Sequence, residues 1–146
     1  MADKEVTVRE GTIITLEQST KGFEALKDAF NRVGEAVDSK DYIKALNIIA
    51  EEVIPPTNGL YSFFITIADT FDLVLGEELT KKLLIKIKVI DEVIDSLEDE
   101  TTNNDIVEIA DLLRFDYYDA LTDLELLIPT IIEKFKKSDA PELDKL

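Results

Sequence analysis

The chain has 146 residues, 45% of them apolar, with 32 acids against 16 bases and neither histidine nor cysteine. That length suits one domain with a substantial core, and the apolar content argues against disorder despite a net charge of −16. The missing residue types exclude histidine acid–base and triad catalysis, thiolate nucleophiles, disulfides and Cys or His metal centres; the charge disfavours nucleic acid and anionic membranes as partners.

The opening residues MADKEVTVREG lack a signal-peptide core, and residues 1–11 read as a flexible arm. A first helix follows, with Leu16, Phe23, Leu26, Phe30, Val33 and Val37 on one stripe. Thr12 or Thr15 is its expected cap, and Asp38-Ser39 its turn. A second stripe, Tyr42, Ile43, Leu46, Ile49, Ala50 and Val53, runs into Pro55-Pro56. Two prolines remove two backbone donors, so a break or kink is predicted there, with helix resuming near Thr57 or Asn58. Phe64, Ile67, Ala68, Phe71, Val74 and Leu75 keep the helical period up to Gly76, a C-terminal stop.

The third helix is expected from about Glu77 to Leu97, with Leu83, Ile87, Ile90, Val93, Ile94 and Leu97 inside. Residues 98–105, EDETTNND, read as a polar loop with Thr102, Asn103 or Asn104 as the next cap. The last helix, about Asp105 to Lys137, carries a long stripe: Ile106, Ile109, Ala110, Leu113, Tyr117, Ala120, Leu121, Leu124, Leu127, Ile128, Ile131 and Phe135. Pro129 predicts a kink near Glu125, and SDAPELDKL (138–146) a disordered tail. The predicted fold is all-α, an antiparallel up-down four-helix bundle over 12–137. No uncharged apolar run nears the roughly 20 residues of a membrane span, so the expected setting is a cytoplasm without membrane attachment.

Sites for small ligands are scarce. The five glycines are isolated and form no phosphate loop, no D-x-D-x-D-G calcium loop occurs, and no cofactor is expected. The acids Glu108 and Asp111 share a helix face in VEIADLL. They resemble the E-x-x-D half of MazG-like nucleotide pyrophosphohydrolases, helical proteins that hold Mg²⁺ against a nucleoside triphosphate. The other half of that pattern, E-E-x-x-E, meets Glu51-Glu52 here but has Pro55 where the third acid belongs. The resemblance implies a Mg²⁺-dependent hydrolase, the alternative function; the plainer reading of the two acids is a solvated helix face.

Residues NNDIVEIADLLRFDYYDALTDLE resemble, more extensively, the C-terminal signature D-x-V-x-I-A-D-L-L-x-Y-E-L of a family of small acidic all-helical bacterial proteins of unassigned activity. Asp105, Val107, Ile109, Ala110, Asp111, Leu112 and Leu113 agree with it, while Phe115 and Asp116 replace Tyr and Glu. The match implies a bacterial helical bundle and carries over no site residues.

Charge is uneven along the chain. Lys81, Lys82, Lys86 and Lys88 form a basic cluster, whereas 98–125 holds ten acids and Arg114 alone. Adjacent packing of helices three and four would pair these charges; an anion-binding stripe is the other reading. Within DLLRFDYYDALTDLELL, Phe115, Tyr118 and Leu126 fall outside the core stripe, beside Asp111 and Glu125. An aromatic patch rimmed by charge suits a protein interface; cover by the chain's own N-terminal arm or a loop is the alternative. The predicted function is therefore a non-enzymatic interaction module, an adaptor or chaperone-like bundle. A protein partner or second copy would dock on Phe115, Tyr118 and Leu126, with Arg114 and Asp111 setting register.

Overall fold

The computed structural model describes residues 6–102 and 105–145, apart from the side chains of 98–102, and holds helices and no strand among them. The first helix, α1 (Val8–Asp38), is 31 residues long and about 46 Å by its rise. It opens on Thr7, whose hydroxyl accepts from the Glu10 N–H at 3.1 Å. The expected caps Thr12 and Thr15 lie inside the helix, and Val8–Gly11 of the expected flexible arm belong to it; residues 1–5 lie outside the described residues. The buried stripe is Leu16, Phe23, Leu26, Ala29, Phe30, Val33 and Ala36. Each large apolar side chain so buried stabilises the fold by about 1.5–3 kcal/mol relative to exposure.

After the turn at Ser39–Lys40, Asp41 caps α2 (Tyr42–Ile48) by accepting from the Lys44 N–H. The expected stripe of this helix needs correction. Ala45, Ile48, Ile49 and Val53 are buried, Ala50 is exposed, and Ile43 is 76% exposed. Of the break or kink predicted at Pro55-Pro56, the break is absent, and helix is already in place at Ile54 rather than resuming near Thr57 or Asn58. A π turn (Ile49–Val53) leads directly into α3 (Ile54–Thr70), with the prolines in its first turn. The Ile54 N–H reaches back five residues to the Ile49 carbonyl. This wider turn carries the chain past both pyrrolidine rings. Ala50, Glu51 and Glu52, the residues one turn before the prolines, are exposed, so water can serve carbonyls that the missing N–H groups leave unpaired.

The helix bends at Phe71, continues as α4 (Asp72–Leu75) and ends at Gly76, whose φ of 86° is a conformation that favours glycine. The next helix, α5 (Glu77–Thr102), runs through much of the stretch expected as a polar loop. The cap of the following helix is Asp105, accepting from the Glu108 N–H, rather than Thr102; Asn103 and Asn104 lie outside the described residues. The long C-terminal segment is α6 (Ile106–Asp111), a second π turn (Leu112–Tyr117) and α7 (Tyr118–Lys137), which contains Pro129. Its predicted stripe is buried throughout, Leu127 alone being half-buried.

The expected tail is not free either. Pro141–Asp144 forms a 3₁₀ turn that buries Leu143 completely. The Val8 N–H donates to the Lys145 carbonyl at 2.8 Å. The Arg9 guanidinium donates to the Phe135 carbonyl and the Asp144 carboxylate. Helix α1 packs on α2, both π turns, α6 and α7; α3 packs on α5, and α5 on α6 and α7. No helix among the described residues is long and apolar enough to cross a membrane.

Candidate functional site

The second π turn separates two environments. On the α1 side, Arg114 lies across the helix backbone at Gly34 and donates to Asp38 at 2.9 Å. A Cβ on Gly34 would overlap the guanidinium, so glycine is what admits it. Two helical turns back along α1, Lys27 sits 5.0 Å over the Tyr118 ring and 3.2 Å from Glu125. Such a cation over an aromatic face is worth about 0.5–1 kcal/mol where solvent still reaches it. Arg114, Tyr118 and Glu125 thus form a seam with α1.

Beneath the turn, Thr57 of α3 links the two π segments. The Tyr117 hydroxyl, buried with its ring 4.9 Å from that of Phe30, donates to Thr57 Oγ1 at 2.8 Å. The Thr57 hydroxyl in turn donates to the Val53 carbonyl at 2.6 Å. Thr57 is the one fully buried polar side chain of the described core, and this chain satisfies it. Burial pushes the Tyr117 phenol well above its ordinary range, an effect its hydrogen bond to Thr57 only partly opposes. Beside the first π turn, Arg32 grips Glu52 through two hydrogen bonds of 2.8 and 2.6 Å. That grip lowers the Glu52 carboxyl below its ordinary value and raises Arg32.

On the α5 side the molecule is open. Two adjoining hollows of about 460 and 320 Å³ share Ser96, Leu112 and Asp116 and follow the seam between α5 and the α6–α7 segment. The larger is floored by Val89, Val93, Leu112 and Ala120. Small side chains at Ser96 and Ala120 leave the space, and the widened turn lies alongside. Six carboxylates border the two hollows, Glu92, Glu108, Asp111, Asp116, Asp119 and Asp123, against a single cation, Lys86. Lys86 is engaged by Asp123 at 3.0 Å.

Phe115 stands at the smaller hollow, 62% exposed. Of the residues singled out from sequence, Phe115 and Asp111 therefore come together here, with Glu108. Leu126 is 71% exposed. Tyr118 and Arg114 turn to α1 instead. Glu108 and Asp111 share a hollow, but Glu52 is held by Arg32, and no group of three or more acidic side chains among the described residues is arranged to hold a metal ion. The lysine cluster divides similarly. Lys81 and Lys82 pair with Glu77 and Glu78 on their own helix, and Lys86 alone is seen to bridge to α7.

Sequence reasoning missed the π turn, the buried Thr57–Tyr117 bond and the docking of Arg114 on Gly34. A signal for the last was present: a lone arginine in a run of acids, and a glycine in mid-helix. Comparison with family models, curated proteins and solved structures gives no match for this chain.

Proposed function

We propose that the chain is a non-enzymatic protein-interaction module of a bacterial cytoplasm, an adaptor or chaperone-like protein whose long helices run up and down as an antiparallel four-helix bundle. Its partner chain, or a second copy, docks over the solvent-facing side of the second π turn, with Phe115 as the apolar anchor, Asp111 beside it and Leu126 further along the same helix. The observation that carries this reading is the 62% exposure of Phe115 at the edge of a groove, while the other six phenylalanines are buried or half-buried. Exposed aromatics beside concave apolar surface are the usual anchors of interfaces. Arg114 and Tyr118, tied to α1, hold the turn in position rather than meet the partner.

The test is sedimentation of the wild type and Phe115→Asp, each alone and with whatever polypeptide co-purifies stoichiometrically from the native source. The wild type should form a dimer or a defined complex. The variant should melt at the same temperature and sediment as a monomer. Monomers in both cases at high concentration, with no stoichiometric companion, would contradict the proposal.

A further inference from the structure

Resting on that reading, the groove also indicates what kind of partner fits it. We infer that the hollow between α5 and the α6–α7 segment binds a cationic amphipathic helix of another protein. The lining residues span Lys86–Ser96 on α5 and Glu108–Asp123 on the opposite wall. These spans correspond to about 15 and 22 Å of helix, so the groove accommodates roughly 14 residues of a partner helix, about four turns.

Its floor and its rim make different demands. Val89, Val93 and Ser96 recur at helical spacing on one wall, and Leu112 and Ala120 face them from the other. An apolar stripe at i, i+4, i+7 and i+11 matches a floor of that kind, and Phe115 closes one end against the stripe. The rim is acidic. Glu92, Asp111, Asp116 and Asp119 have no ion-pair partner among the described residues. Carboxylates crowded along one groove repel each other, and lysine or arginine flanking the partner's stripe relieves that repulsion while steering its approach.

Charge also argues against a second copy as the occupant. It would bring another net −16 to an acidic groove. Its α5 lysines Lys81 and Lys82 are already paired with their own Glu77 and Glu78.

The experiment titrates the full chain with three synthetic peptides of about 14 residues by fluorescence anisotropy. One has a leucine stripe flanked by arginines. The second has the same composition with the stripe scrambled, and the third has glutamates for the arginines. The first should bind at least about tenfold more tightly than either control, and more weakly as salt rises. Asp116→Asn with Asp119→Asn, and separately Phe115→Ala, should each weaken it about tenfold or more, whereas Glu17→Gln with Glu24→Gln on α1 should not.

Equal binding of ordered and scrambled peptides, or equal loss from the α1 substitutions, would show a response to bulk charge and overturn the inference. So would self-association competing for the groove. A native partner that needs Phe115 but docks an uncharged or acidic segment would sink this inference alone, leaving the interaction-module reading intact.

Discussion

The two π turns are built alike and used differently. Ile49–Val53 precedes a pair of prolines, and its widened geometry lets a helix pass residues that ordinarily end one. Its exposed side is occupied, since Glu52 is clamped by Arg32 from α1. Leu112–Tyr117 has no proline or glycine to demand it. It is held from within by Tyr117 and from the α1 side by Arg114, and its other flank is left as an acidic hollow beside an exposed phenylalanine. One irregularity solves a backbone problem; the other shapes a surface. Helical π turns recur at functional sites, and the contrast indicates which of this pair to examine.

The largest expected effect comes from the bond that couples the turns. Thr57→Val leaves the buried Tyr117 hydroxyl without its acceptor and should cost about 1–3 kcal/mol in denaturant unfolding. Adding Tyr117→Phe removes the orphaned group and should restore part of that loss, a coupling that independent turns would not show. Tyr117→Phe alone should cost less, about 0.5–1.5 kcal/mol. It should also change the alkaline limb of stability. A folded phenol raised above its ordinary value near 10 contributes stability that is intact below that value. The contribution is lost as pH rises beyond it. The variant should therefore lose less stability than wild type above about pH 10, read by circular dichroism.

The Arg114 contact gives a smaller, sharper test. Gly22→Ala, where the new methyl meets nothing, should stabilise α1 by about 0.5–1 kcal/mol. Gly34→Ala in the same helix should fail to do so, because the methyl displaces Arg114 from Asp38. The gain should return when Arg114→Ala is combined with it. Equal gains at both glycines would remove Arg114 from the account.

The smallest effect belongs to the first turn. Glu52, depressed by Arg32, contributes stability present above its unfolded value and lost as pH falls through its lower folded value. Glu52→Gln should slightly flatten the acid limb of a melting curve, by an amount that salt diminishes.

Much of the fold was legible because α1, α5 and the C-terminal segment repeat apolar residues at helical spacing, and burial follows those repeats closely. What escaped has physical causes. Polar residues 98–102 continue a helix whose apolar stripe ends at Leu97, so composition alone suggested a loop. Pro55 and Pro56 forbid particular hydrogen bonds but do not forbid a wider turn. Leu143 is one apolar residue in a charged tail, too little periodicity to predict docking. At the site, Phe115 stood out because a regular helix cannot place it in the core with Leu113 and Tyr117. That Tyr118 turns to Lys27, away from Phe115, depends on α1 lying alongside, which no local pattern encodes.

The most direct measurement places a photo-crosslinking amino acid at Phe115 in the full chain within cells of its native source. A second version carries it at Ile43, equally apolar and more exposed but on α2. A single defined adduct from position 115, absent from position 43, is the predicted result. No adduct at 115, or the same adducts from both positions, would mean that the open flank of the second π turn is bare surface.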